Sequence, residues 1–320
     1  MNGRLRRVVV LGLGVGALGV VLSMLPSVLS LEEHAGLAWL FAVRGPVPPP
    51  KDVAVVSIDG ESADELGLTS HLDRWPRALH ADLIDRLSAA GAAVIAFDVM
   101  FDVPREPDGD QRLATAIETA GNVVLLERVQ SETVDLARAG GSGSAVVEHR
   151  VPPIEPLDRA ALATGPFTLP VVPIRVGQFW AFGRAGGNTP TLPVAVLHGI
   201  AQPALDDLID LAKSARPNLG AAFESLRHEM HARGGLARAI RGLKDTFRRD
   251  DRLGIDVRAA IAARDPAAER RRLLDALVDV YAGPDSRYLS YYGPARTIDT
   301  ISYYQALERL SPAELARAVR

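Results

Sequence analysis

The stretch Arg74–Phe101, RWPRALHADLIDRLSAAGAAVIAFDVMF, constrains the chain most. It carries the period of a helix and then, past one glycine, the composition of a strand. Leu79, Leu83, Ile84 and Leu87 fall on one helical face, with Arg77, His80, Asp82, Asp85 and Arg86 mostly on the other. Pro76 suits the first turn, where its missing N–H is no loss. Asp82 and Arg86 have the acid-first spacing of a helical ion pair, and Gly91 suits a C-terminal cap. Ala92–Phe97 is then an unbroken apolar run that stops at Asp98. A run without alternation predicts a parallel strand covered on both faces, and hence the central strand around which the rest is built.

The flanking segments extend this unit. Val53–Ile58 reads as a strand ending at Asp59, followed by a short helix near Glu61–Leu66. Asp108 is placed to cap a helix whose stripe is Leu113, Ala116, Ile117 and Ala120. Gly121 stops it, and Val123–Leu126 is a third strand, ending before Glu127. Strand–helix–strand–helix–strand predicts a parallel sheet with right-handed crossovers. Ser131–Ser144 is polar, ends in AGGSGS and reads as a loop, with Ala145–Arg150 an edge strand after it. The prolines of Val151–Pro173 exclude a central strand there. Gln178–Phe182 reads as a strand, and Thr189 and Pro190 suit the N-cap and first turn of a helix reaching Gly199. Ala204–Ala282, rich in Arg, Ala, Leu and Asp, predicts three to five amphipathic helices inserted outside the sheet. Arg287–Tyr292 returns to strand character, Thr300 or Ser302 can cap a helix through Leu310, and Ser311–Glu314 is a capping box for another. The expected fold class is α/β: a mainly parallel sheet flanked by helices, with an N-terminal transmembrane helix and a helical insertion.

The transmembrane expectation rests on Val8–Leu25, which carries no charge and ends at Pro26. That is about the minimum length for a span. Arg4, Arg6 and Arg7 precede it and Glu32 and Glu33 follow it, so the positive-inside rule places the N-terminus in the cytoplasm and the bulk outside. No A-x-A site follows, which favours an uncleaved anchor over a signal peptide. Gly14–Gly19 matches G-x-G-x-x-G, but the residues after it leave no polar face, so the dinucleotide reading falls below the membrane one. Gly12 and Gly16 form G-x-x-x-G, which fits a homodimer through the anchor and equally fits the ordinary glycine content of spans. The division is then 1–30 as cytoplasmic N-terminus and anchor, 31–50 as juxtamembrane helix and Pro-rich linker, and 51–320 as an extracytoplasmic domain with the insertion at about 204–282. A net charge of −3 gives no basic excess for nucleic acid, and the absence of Cys excludes disulfides and thiolate chemistry.

A set of motifs along the chain resembles the type-2 CHASE domain, an extracytoplasmic sensor of bacterial adenylate cyclases, histidine kinases and serine/threonine kinases. They are FAVRGP at Phe41–Pro46, VAVVSID at Val53–Asp59, RWPR at Arg74–Arg77, HADLIDRL at His80–Leu87, GAAVIAFDVMF at Gly91–Phe101, GNVVLL at Gly121–Leu126 and YYGPARTIDTISYYQAL at Tyr291–Leu307. The resemblance implies a membrane-anchored sensor in the cell membrane, non-enzymatic in itself, serving a cytoplasmic cyclase or kinase module. It transfers a role and no binding chemistry. Ala204–Ala282 matches none of it.

Candidate site residues follow from the strand ends. Asp59 and Asp98 close two strands expected to be neighbours, and Glu127 closes a third. Ligands of open parallel sheets bind outside the carboxyl ends of the strands, and carboxylates converging there could hold a cation or a basic ligand. Arg44, Trp75 and Arg77 are candidates for the same rim. The stronger reading for each acid is a cap or turn. His228 and His231 share a helix face without a third ligand, so a solvated face outweighs a metal. No catalytic group, metal or cofactor is assigned. The expected partners are the membrane and an unknown small ligand or periplasmic stimulus. The alternative is an anchored or secreted α/β hydrolytic or metal-assisted enzyme using Asp59 and Asp98.

Overall fold

The computed structural model describes residues 11–16, 19, 36–69, 71, 74–135, 143–169, 176–183, 188–232 and 234–318. The chain divides into two units. One takes Met1–Pro49, Leu169–Phe179 and Tyr288–Thr297; the other takes Pro50–Thr168, Trp180–Arg287 and Ile298–Arg320. The expected anchor Val8–Leu25 lies mostly outside the described residues, of which 11–16 and 19 are helical. No helix of the described residues is long and apolar enough to cross a membrane. In the first unit residues 36–44 are helical, and Gly45, at φ 71°, ends the helix. Val47 then donates its N–H to the Tyr292 carbonyl at 2.8 Å.

The second unit opens with β1 (Val55–Ser57), α1 (Gly60–Glu65) and α2 (Arg77–Ala89). α2 ends as its sequence requires. Gly91 takes φ 89°, its N–H reaches Ser88 at 3.0 Å, and the Ala92 N–H reaches Leu87 at 3.1 Å. These are the two bonds of a Schellman stop, which glycine reaches without steric penalty. Next come β2 (Ile95–Met100), α3 (Pro107–Ala120) and β3 (Val123–Asp135). Gly121 caps α3 at φ 67°. The expected cap Asp108 lies inside α3 instead, because Pro107 starts the helix after Glu106.

β4 (Ser144–Val151), α4 (Glu155–Ala160) and β5 (Ala163–Pro166) complete the sheet. β3 pairs in parallel with β2 and with β5, which makes β3 the central strand. β2, expected at the centre, is at the edge of this sheet and is buried on one face only: Ile95 and Phe97 point inward while Ala96 and Asp98 are exposed. β3 also runs on through Ser131–Asp135, where a loop was expected, because residues 128–135 pair antiparallel with β4. β5 has no signature of its own: its sequence is ATGP, and pairing to Val124–Glu127 alone defines it.

Two short strands, β6 (Phe182–Gly183) and β7 (Thr189–Pro190), pair antiparallel. This displaces the expected helix start, so that α5 (Leu192–Ile200) begins after Thr191. Five helices follow: α6 (Gln202–Ala215), α7 (Gly220–His231), α8 (Leu236–Arg249), α9 (Leu253–Arg264) and α10 (Ala268–Ala282). β8 (Thr300–Ser302) then pairs in parallel with β1, and residues 303–309 are helical, with a wider π turn at Gln305–Arg309. Thr300 and Ser302 are therefore strand residues, Ser302 directly preceding the helical turn, with its hydroxyl donating to Asp59 at 2.8 Å. The Ser311–Glu314 box forms at the start of α11 (Pro312–Ala318), the Ser311 N–H donating to Glu314 at 2.9 Å.

Alternation along β3 splits the interior in two. Val123 and Leu125 enter a core with α2, α3, α4 and the segment around Tyr303. Val124 and Leu126 enter another, formed with Ala163 and helices α5–α10. The helices of 204–282 thus form one face of the sheet's own core.

Candidate functional site

The expected rim does not assemble. β1 pairs with β8 and not with β2, so Asp59 and Asp98 do not end adjacent strands. Asp59 is the N-cap of α1. One carboxylate oxygen accepts from the Ser62 N–H at 2.9 Å and its hydroxyl at 2.7 Å, and the other accepts from the Ser302 hydroxyl at 2.8 Å. Asp98 lies within β2, where the pairing with β3 breaks between Phe97 and Met100. It is exposed, and no hydrogen bond or ion pair to it is present among the described residues. Arg44 belongs to the first unit. Its guanidinium lies 4.8 Å from the Phe41 ring centroid and donates to the Ser290 hydroxyl at 3.3 Å and to the Tyr291 carbonyl. His228 and His231 are exposed on α7, and His231 meets Asp206 at 3.1 Å. No group of three or more metal-binding side chains exists among the described residues.

Trp75 and Arg77 do come together, in the interior of the sheet unit. Trp75 is 1% exposed, donates from Nε1 to the Thr69 carbonyl at 3.0 Å and meets the Tyr303 ring edge-on at 5.2 Å. Arg77 is 3% exposed and pairs with Asp110, which also accepts the Arg105 N–H at 2.9 Å. Burial lowers the Arg77 guanidinium from its ordinary range, and Asp110 opposes that. His80, on the face of α2 expected to meet water, is 2% exposed and bonds through Nδ1 to the Tyr303 hydroxyl at 2.9 Å. Burial first, then Arg77 and Arg105, holds its imidazole at about 4. A neutral ring at pH 7 accepts from Tyr303, whose phenol burial holds above its ordinary value. RWPR, HADLIDRL, FDVMF and ISYYQAL are thus distant segments joined in one polar-containing core, and their signature residues hold it together.

Open space occurs elsewhere. A cleft of about 290 Å³ lies beside the junction of β3, β5 and α4, lined by Glu127, Arg150, Asp158 and Thr164 among others. Glu127 is the residue at which β3 leaves its parallel partners, so the strand topology places it here. Its carboxylate is 7% exposed, takes the Arg150 guanidinium at 3.0 Å on one oxygen and the Thr164 hydroxyl at 2.7 Å on the other. Asp158 on α4 has its carboxyl held above the usual range by partial burial and then by Glu127, against the opposing pull of Thr164 and Arg150. Glu127 was legible as a strand end. Arg150, Asp158 and Thr164 carried no signal, because each reaches the cleft through pairing between separate segments.

A family model, the CHASE2 domain, matches residues 13–319. No curated protein and no solved structure matches the chain. With nearly its whole length covered by one family model, the chain belongs to the CHASE2 domain family, a family of extracellular sensor domains of signal-transduction proteins.

Proposed function

We propose that the chain is the sensing part of a membrane-anchored bacterial receptor. Its N-terminal apolar run holds it in the membrane, residues 51–320 face the extracytoplasmic side, and a cytoplasmic adenylate cyclase or kinase module outside these 320 residues reads its state. The family match over residues 13–319 carries this reading, and the arginines before Val8 with the glutamates after Leu25 support the orientation. A sensor needs a place where a stimulus changes the balance between packed elements. The cleft at Glu127 supplies one, since it is lined from the sheet, from α4 and from Ala237 of α8.

The experiment is a pair of reporter fusions after Arg150, one active only outside the cytoplasm and one only inside. The expected result is a signal from the first alone. A signal from the cytoplasmic reporter overturns the reading.

A further inference from the structure

We propose that the cleft between Glu127 and Asp158 is a binding site for a small organic ammonium ion. The proposal deepens the sensor reading by naming a ligand class, and its test does not depend on topology. Two carboxylates face one guanidinium there, which leaves the cleft with an excess negative charge. Glu127 is fixed on both oxygens by Arg150 and Thr164, so its carboxylate is held in place before any ligand arrives. A carboxylate has about four acceptor directions, so Glu127 retains capacity. Thr164 and Arg150 favour the charged form of Asp158, yet partial burial first and then Glu127 hold its carboxyl above the usual range. A cation placed between the two acids relieves that repulsion.

The chemistry of the walls separates an organic cation from a metal ion. A bound calcium takes about six to eight oxygen ligands, and the cleft gathers two carboxylates and one hydroxyl. An ammonium group carries three donors, which matches Glu127, Asp158 and Thr164 one for one. Leu162 and Ala163 present apolar surface beside them, suited to a short alkyl chain. The volume of about 290 Å³ is at the lower end of ligand pockets, about 300–1,000 Å³, so the ligand has few heavy atoms. Arg150 reaches Glu127 through one guanidinium nitrogen, which leaves others for a ligand carboxylate.

The test uses the purified full chain at pH 7. Thermal shift and isothermal titration are run with n-propylammonium chloride and with alanine, against sodium chloride at equal ionic strength. The expected result is a saturable rise in melting temperature with propylammonium or alanine and none with sodium. Tighter binding of alanine adds a carboxylate contact at Arg150; tighter binding of propylammonium assigns a simple amine. Asp158→Asn, an exposed substitution that leaves the fold intact, should weaken binding at least tenfold. Failure of both probes to bind, or an unchanged affinity in Asp158→Asn, overturns the proposal. A cytoplasmic result in the reporter experiment would overturn the sensor reading and leave the binding result standing.

Discussion

The two faces of the β3 sheet are held by different physics. On one, Trp75, Arg77, His80 and Tyr303 interlock through directed bonds and edge-to-face rings. On the other, Val124 and Leu126 meet a layer of leucines, isoleucines and alanines from α5–α10. That layer also encloses polar groups. His198 bonds to the Val194 carbonyl at 2.7 Å and the Tyr281 hydroxyl at 2.5 Å. Lys244, 1% exposed, donates to the carbonyls of Tyr281 at 3.2 Å and Gly283 at 3.0 Å at the C-terminal end of α10, and pairs with Asp285. Directed bonds need particular residues, whereas apolar packing accepts many combinations of similar volume. This explains why RWPR, HADLIDRL, FDVMF and ISYYQAL meet on the first face, whereas 204–282, which the family match also spans, carries no such motif while sharing the same strand.

The largest expected effect comes from removing one side of the comparison. Deleting Ala204–Ala282 exposes Val124 and Leu126, which are 0% and 7% exposed, together with the apolar faces of α5 and β5. The sequence taken alone suggested a separable insertion that leaves a folded sheet. The shared core reverses that expectation: the deletion product should lose its cooperative melt, as followed by circular dichroism. A cooperative transition in the shortened chain would show that the first face suffices by itself.

Next is the ion pair of the first face. Asp110→Ala leaves the Arg77 guanidinium buried without its partner. Breaking a buried pair in this way costs about 3–5 kcal/mol, measurable by urea unfolding. Arg77→Lys in the otherwise unchanged chain should also destabilise, since an ammonium does not reproduce the forked contacts to Asp110 and the Val103 carbonyl. A change below about 1 kcal/mol in Asp110→Ala would show that this face is held by apolar packing like the other.

The two buried histidines test whether the faces respond alike to acid. Burial holds His80 and His198 at about 4, against 6.5 in the unfolded chain. Between those values the unfolded state binds a proton that the native state refuses, so stability rises with pH through the window and falls on acidification. Each histidine contributes a fall of roughly 3 kcal/mol between pH 6.5 and 4. His80→Gln and His198→Gln should each flatten the stability profile there relative to the parent, and by similar amounts. If one variant leaves the profile unchanged, the imidazole on that face is already solvated.

The asymmetry also marks what could be read from the residues. Local signals were legible: the α2 stripe, the stops at Gly91 and Gly121, and the Ser311–Glu314 box are all set within a few residues. Strand rank was not. Ala92–Phe97 looks fully buried because alanine is apolar at either an inner or an outer position, and only the pairing shows that β2 is an edge. β5 was hidden because ATGP lacks branched residues, and Gly165 is present for space: a Cβ there would lie 2.8 Å from the Leu192 nitrogen and 2.9 Å from the Thr191 carbonyl carbon. Glu127, Arg150 and Thr164 meet across 23 and 37 residues, a distance over which no periodicity carries information.

The smallest expected effect concerns the acids first placed on one rim, and it locates the edge of the helical layer. Sequence position reads both acids as caps or turns and puts Asp98 at the end of a buried strand; the structure keeps the cap for Asp59 and leaves Asp98 exposed within β2. Asp59 caps α1 and accepts from Ser302 on β8, so it joins two elements that are far apart in the chain. Asp59→Ala should cost about 0.5–2 kcal/mol, the range for a lost N-cap. Asp98 lies on the face of β2 that points toward the helical layer, yet the layer stops short of it: Val94 packs there, while Ala96 and Asp98 are exposed. Asp98→Asn should therefore move stability by less than about 0.5 kcal/mol, as surface substitutions do. Urea midpoints of the two variants against the parent decide the order. A larger loss for Asp98→Asn than for Asp59→Ala would mean that the open face of β2 is covered in solution.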